Sequence, residues 1–167
     1  MKILLACSPL AFVCATGLAL ADSPDSKFMK SAAEGGISEV ELGQLAQQKA
    51  VSAEVKQFGH HMVKDHTDAN DKLKALATSK GVNLPDSSSV MQQASKAKLK
   101  LLSGDSFDKS YIKGMVDDHK DDIKEFQEEA SQGQDPDVKA FAASTLPTLK
   151  KHLKMIQSIA AAQGVSD

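Results

Sequence analysis

The sequence predicts an all-α protein, a ferritin-like antiparallel four-helix bundle with one long crossover containing a short extra helix. Three observations lead there. Ala, Leu, Lys, Gln and Glu dominate, while period-two segments rich in Val, Ile and aromatics are missing, which favours helix throughout. Apolar residues recur at steps of three and four over four long stretches. Tight links join the first stretch to the second and the third to the fourth, whereas the link between the second and third is long, the wiring of two antiparallel hairpins joined by one crossover.

Ahead of the helices, residues 1–21 read as a secretory signal peptide. Lys2, an apolar run from Ile3 to Leu20 and the small-x-small site Ala19-Leu20-Ala21 are its three parts. Pro9, Gly17, Cys7 and Cys14 interrupt the run and no Lys cluster follows it, which argues against a membrane anchor. Leu4-Leu5-Ala6-Cys7 resembles a lipobox, but only six residues precede Cys7 and the apolar run continues past it, so lipidation is not expected. The expected product is one exported domain of residues 22–167 without a transmembrane span. It is periplasmic, and an outer-membrane-associated or secreted location stays open. Both cysteines leave with the leader, so the domain has no disulfide and no Cys nucleophile or metal ligand. Without Lys2, 19 Lys stand against 22 Asp and Glu, a net charge near −3 that argues against a nucleic-acid partner. A second copy or an envelope partner is left open.

The first helix is expected from Pro24 to Ala50, opened by Ser23-Pro24, and the second from a Ser52 cap to Gly81. The connection through Pro85 carries a short helix over Ser88 to Leu102. The third long helix runs from Asp105 to Ser131, stopped by Gly133, and the fourth from the Asp135-Pro136 cap to Gly164, with Pro147 inside it as a kink one turn before His152. Shifted by 83 positions, the chain pairs Phe28 with Tyr111, Phe58 with Phe141, Val55-Lys56 with Val138-Lys139 and Gly81-Val82 with Gly164-Val165. These matches point to two duplicated hairpins.

The chemistry begins where the apolar seams turn polar. The second helix reads Val55, Phe58, Met62, His66, Leu73; the third Phe107, Tyr111, Met115, His119, Phe126; the fourth Val138, Phe141, Leu149, His152, Ile156. Three histidines therefore point inward, each near its helix midpoint. On the first helix a stripe through Phe28, Glu39 and Leu42 offers a carboxylate, in competition with one through Ala33, Ile37 and Val40 that would turn Glu39 to the rim. His60 and His61, the acidic run from Asp117 to Glu129, and Glu34 and Glu41 read as solvated helix faces, and the dispersed methionines as core filling. No Gly-x-Ser-x-Gly turn or phosphate loop is present, so an enzyme is the less favoured reading.

Ala33-Glu-Gly-Gly-Ile-Ser-Glu-Val-Glu-Leu-Gly, Met62-Val-Lys-Asp-His66, Met115-Val-Asp-Asp-His119 and Phe141 through Thr145-Leu-Pro147 to His152-Leu resemble the bacterial domain of unknown function 4142. The resemblance implies an exported ferritin-like protein, often labelled as an outer membrane protein, without an established activity. A membrane β-barrel is excluded by the lack of alternating strands of spanning length. Two functions follow. The inward histidines form a hydrogen-bonded layer that fixes helix register or responds to pH; alternatively Glu39, His66, His119 and His152 bind iron, zinc, copper or manganese, with Asp118 and Asp122 as secondary carboxylates. Val63 and Leu149 stand three residues before His66 and His152, where di-iron bundles carry Glu, so a mononuclear site fits better than a di-iron one.

Overall fold

A computed structural model describes residues 23–166. The expected signal peptide lies outside the described residues, which are all-α: α1 (Pro24–Lys49), α2 (Ala53–Lys80), α3 (Val90–Lys100), α4 (Gly104–Gln132) and α5 (Pro136–Ala162). Three of the four long helices start at a side-chain cap, while Ser103 ahead of α4 makes no cap bond. Ser23 accepts from the amide of Ser26 and Ser52 from that of Val55, while Asp135 accepts from Asp137 and Val138 ahead of a proline in the first turn of α5. α5 continues through Pro147 as one helix.

The two hairpins close alike. Gly81 and Gly164 sit in the left-handed region at φ 67° and 63°, and the following valines donate to equivalent carbonyls, Val82 to Ala77 and Val165 to Ala160, both at 2.9 Å. The shift of 83 positions thus reappears in backbone geometry. α1 packs on α2, α4 on α5, α2 on α5 and α1 on α4, so the long helices form a closed ring.

Two apolar clusters fill the interior. One joins Leu42, Phe58, Tyr111, Met115 and Ile156; the other joins Phe28, Leu73, Phe126, Val138 and Leu149. Along every long helix the residue left between the two clusters is polar and buried: Glu39, His66, His119 and His152. The competition on α1 is resolved in favour of the Glu39 stripe, with Glu39 only 4% exposed. The acidic run on α4 corrects the expectation of a wholly solvated face, because Glu129 is buried and Asp122 and Glu125 are half-buried.

Candidate functional site

Three imidazoles and one carboxylate converge at the layer between the clusters. Ring centroids lie 5.9 Å apart for His66–His119, 5.4 Å for His66–His152 and 5.5 Å for His119–His152. One ring nitrogen of each lies within 4.8 Å of the others. Glu39 enters from α1.

Each ring is held from its outer side. His66 Nδ1 lies 2.7 Å from Glu39 Oε2, His119 Nδ1 donates to the Met115 carbonyl at 2.9 Å, and His152 Nε2 donates to Asp65 Oδ2 at 2.9 Å. In a neutral ring such a bond places the proton on the bonded nitrogen and leaves the other with a free lone pair. The remaining nitrogens, His66 Nε2, His119 Nε2 and His152 Nδ1, are buried without a hydrogen-bond partner, as is Glu39 Oε1. Glu39 Oε1 approaches His119 Nε2 to 3.4 Å but out of line for a hydrogen bond.

Burial decides the charge states. It pushes the imidazolium forms of His119 and His152 down, His152 to about 4 even with Asp65 beside it, so both are neutral near pH 7. Burial acts on His66 the same way, but the Glu39 charge and hydrogen bond outweigh it and raise His66 above the usual value. Burial alone would raise Glu39; the imidazolium of His66 instead holds its carboxyl well below the usual range. The layer is therefore one ion pair, Glu39 with His66, beside two neutral imidazoles. Unpaired buried nitrogens cost about 1–3 kcal/mol each, a penalty that coordination or water removes.

Among the expected secondary carboxylates, half-buried Asp122 belongs to the layer and Asp118 is exposed. Burial and the Glu39 charge push Asp122 well up, which favours a neutral carboxyl beside Glu39. Glu41 serves elsewhere, accepting from Lys96 and Ser88. His60 is exposed and His61 half-buried, both outside the cluster. The sequence reading missed the role of Asp65, although Asp65-His66 and Asp118-His119 end the two similar strings; only Asp65 finds a histidine, and on another helix.

The layer is also where the internal repeat breaks. Shifting by 83 sets Glu39 on Asp122, His66 on Leu149, His119 on Gly36 and His152 on Ala69. Gly36, Ala69, Leu149, Glu39 and Asp122 line a cavity of about 20 Å³ next to His66, room for about one water. A hairpin scaffold used twice thus carries its histidines asymmetrically.

The fold is shared with solved structures of low identity. A candidate secreted protein of domain of unknown function 305 from Streptomyces coelicolor aligns with TM-score 0.71 at 14% identity, covering 86% of this chain and 95% of that one. A domain of unknown function 305 fragment from Deinococcus radiodurans gives 0.75 at 11%, covering 85% and 98%. CopM in a silver-bound form gives 0.68 at 14%, covering 83% and 96%. No curated protein matches the sequence. The model of the domain of unknown function DUF4142 matches residues 14–159, and the chain belongs to that family.

Proposed function

We propose that this chain is an exported protein of ferritin-like four-helix architecture that binds one transition-metal ion through His66, His119 and His152, with Glu39 as fourth ligand or orienting partner. The observation that carries the reading is a buried layer in which each of three histidines has one ring nitrogen tied down and the other without a partner, and in which one ring nitrogen of each lies within 4.8 Å of the others. Histidine ligands are held this way, the outer N–H on a carboxylate or backbone carbonyl fixing tautomer and aim.

An equilateral triangle of 4.8 Å sides has its centre about 2.8 Å from each corner, so each nitrogen moves in by roughly 0.7 Å to make bonds of about 2.1 Å. Two imidazoles already neutral need lose no proton to bind. An all-imidazole set with one carboxylate suits zinc, copper or iron rather than calcium or magnesium. The silver-bound state of CopM, a fold neighbour, supports asking the question of soft ions too.

The test is metal titration of the parent and of the His66→Leu, His119→Leu double variant by calorimetry, with elemental analysis of protein from its native compartment. One equivalent bound by the parent and none by a double variant of unchanged helicity is the expected result. A parent that binds no zinc, copper or iron at micromolar concentration overturns the reading.

The second reading, a register-fixing layer, draws on the outer hydrogen bonds that satisfy one nitrogen of every histidine. It predicts a thermal midpoint that does not respond to metal, and little loss in the double leucine variant. Export is tested separately: the periplasmic protein should begin at Asp22, and a start at an acylated Cys7 would contradict it.

A further inference from the structure

The large apolar side chains that are exposed among the described residues gather in one place. Val90, Met91 and Leu101, at 85%, 80% and 86%, belong to α3 or its cap, and Val51, at 58%, sits in the α1–α2 turn next to it. That turn and the end of α3 are tied together, because Lys49 two residues earlier donates to the Lys100 carbonyl. α3 buries none of its residues fully.

Its exposure is ordered. Val90, Ala94, Ala97 and Leu101, at steps of four, three and four, form one outward stripe, and all four are exposed. The opposite side carries Leu99, which with Leu102 packs against the interior cluster, and Lys96, paired with Glu41. At 100° per residue Lys98 and Lys100 fall about 80° to either side of the stripe centre, flanking it. No Asp or Glu occurs between Asp86 and Asp105, although the whole chain carries net charge −2.

We propose that α3 is a membrane-surface contact that lays this apolar stripe into the interface of a bilayer containing anionic lipid, with Lys98 and Lys100 reaching the headgroups. The chemistry fits that occupant. An interfacial helix needs an apolar strip flanked by long cationic side chains whose stems bury while their ammonium groups stay at the headgroups. A second copy fits worse, because pairing two such stripes brings the lysine rows of both copies together. No described helix is long and apolar enough to cross a membrane, so the contact is peripheral.

The chain contains no Trp, so Leu101→Trp makes a single fluorescent reporter on the stripe, and Ser158→Trp, on exposed α5 surface, a control. Vesicles of phosphatidylcholine with 30% phosphatidylglycerol should shift the Leu101→Trp emission to the blue and leave the control unmoved. Adding Lys98→Glu and Lys100→Glu should weaken vesicle affinity at least tenfold, as should raising salt to 0.5 M. Three results overturn the proposal: no shift at millimolar lipid, an equal shift with uncharged vesicles, or a shift without vesicles that grows with protein concentration, which would assign the stripe to a second copy. None depends on metal binding.

Discussion

Asp25 and Asp108 cap each other's hairpins. Asp25, at the start of α1, accepts from the amides of Gln134 and Asp135 in the α4–α5 turn, both at 2.9 Å. Asp108, near the start of α4, accepts from Val51 and Ser52 in the α1–α2 turn at 3.2 and 2.7 Å. All three pairs, Asp25/Asp108, Val51/Gln134 and Ser52/Asp135, are 83 positions apart. Each half of the repeat thus clamps the turn of the other, which couples the hairpins at both ends.

Both carboxylates are almost fully buried, so the acid side chain itself cannot turn to water when a bond is lost. Asp25→Asn and Asp108→Asn should each cost about 1–3 kcal/mol in chemical denaturation. The clamps sit at different turns and share no partner, so the double variant should be additive within about 0.5 kcal/mol. A strongly subadditive double would mean that the hairpins do not rely on both clamps.

Much of the site was legible because three of its four residues sit on strong seams. The steps through Met62 and Leu73, Met115 and Phe126, and Leu149 and Ile156 leave His66, His119 and His152 no direction but inward. Glu39 was ambiguous for a physical reason: α1 carries Gly35, Gly36 and Gly43 among alanines, so its apolar stripe is diffuse, and the rotation is set by where α2 touches it. Asp65 lies about 100° off the α2 seam and finds His152 only through the packing of α2 on α5, which no local pattern encodes. Glu129 is hidden by its acidic neighbours, since a run of carboxylates reads as solvated even when the last of them meets the start of α1 from the other half. The exposed stripe of α3 looks, in sequence, like any other apolar helix face.

Glu129 should make stability depend on pH. Burial first, then the charge of Asp25 from α1 and its hydrogen bond, raise its carboxyl to about 7, against a smaller opposing effect of Lys139 on α5. The folded chain then keeps a proton that the unfolded chain releases near the ordinary 4.5. Where the folded state binds more protons, stability falls as pH rises, here from about 4.5 until the folded value near 7 is passed. The repeat equivalent of Glu129 is Ala46, itself fully buried in an apolar cluster. Glu129→Ala should accordingly flatten this part of the stability–pH curve and gain on the order of 1–2 kcal/mol at pH 8, after discounting the shift for solvent screening. An unchanged slope in the variant would place the titration elsewhere.

Gly43 and Gly59 should oppose the usual helix rule. A Cβ on Gly43 would stand 2.7 Å from the Gly59 carbonyl oxygen, and a Cβ on Gly59 2.7 Å from that of Gly43, so α1 and α2 touch backbone to backbone there. Gly114, in the interior of α4, has nothing within 4 Å of its Cβ position. Gly114→Ala should raise stability by about 0.5–1 kcal/mol, the ordinary gain from replacing a helical glycine. Gly43→Ala should instead lose about 1–3 kcal/mol, because backbone cannot yield as a flexible side chain does. Equal gains at both positions would show that α1 and α2 separate freely, and the rotation that buries Glu39 would lose its cause.

Asp65 and Asp118 each precede a site histidine, and the metal reading separates them. Asp65 accepts from His152 across the α2–α5 contact, so Asp65→Asn removes the charge that orients the ring and strengthens its other nitrogen as a donor to metal. Asp118 bonds no histidine; burial and the Glu39 charge push its carboxyl up to about 6, so Asp118→Asn changes a charge near Glu39 but removes no ring partner. Metal affinity should therefore fall about 10–100-fold in Asp65→Asn and less than threefold in Asp118→Asn, measured by competition with a chelating dye. Both variants should unfold within about 1 kcal/mol of the parent when metal is withheld, since each carboxylate keeps contact with solvent. The pair tests the outer shell without touching a ligand: equal affinities in the two variants would leave His152 unoriented by Asp65, and with it the claim that these imidazoles are aimed at a common ion.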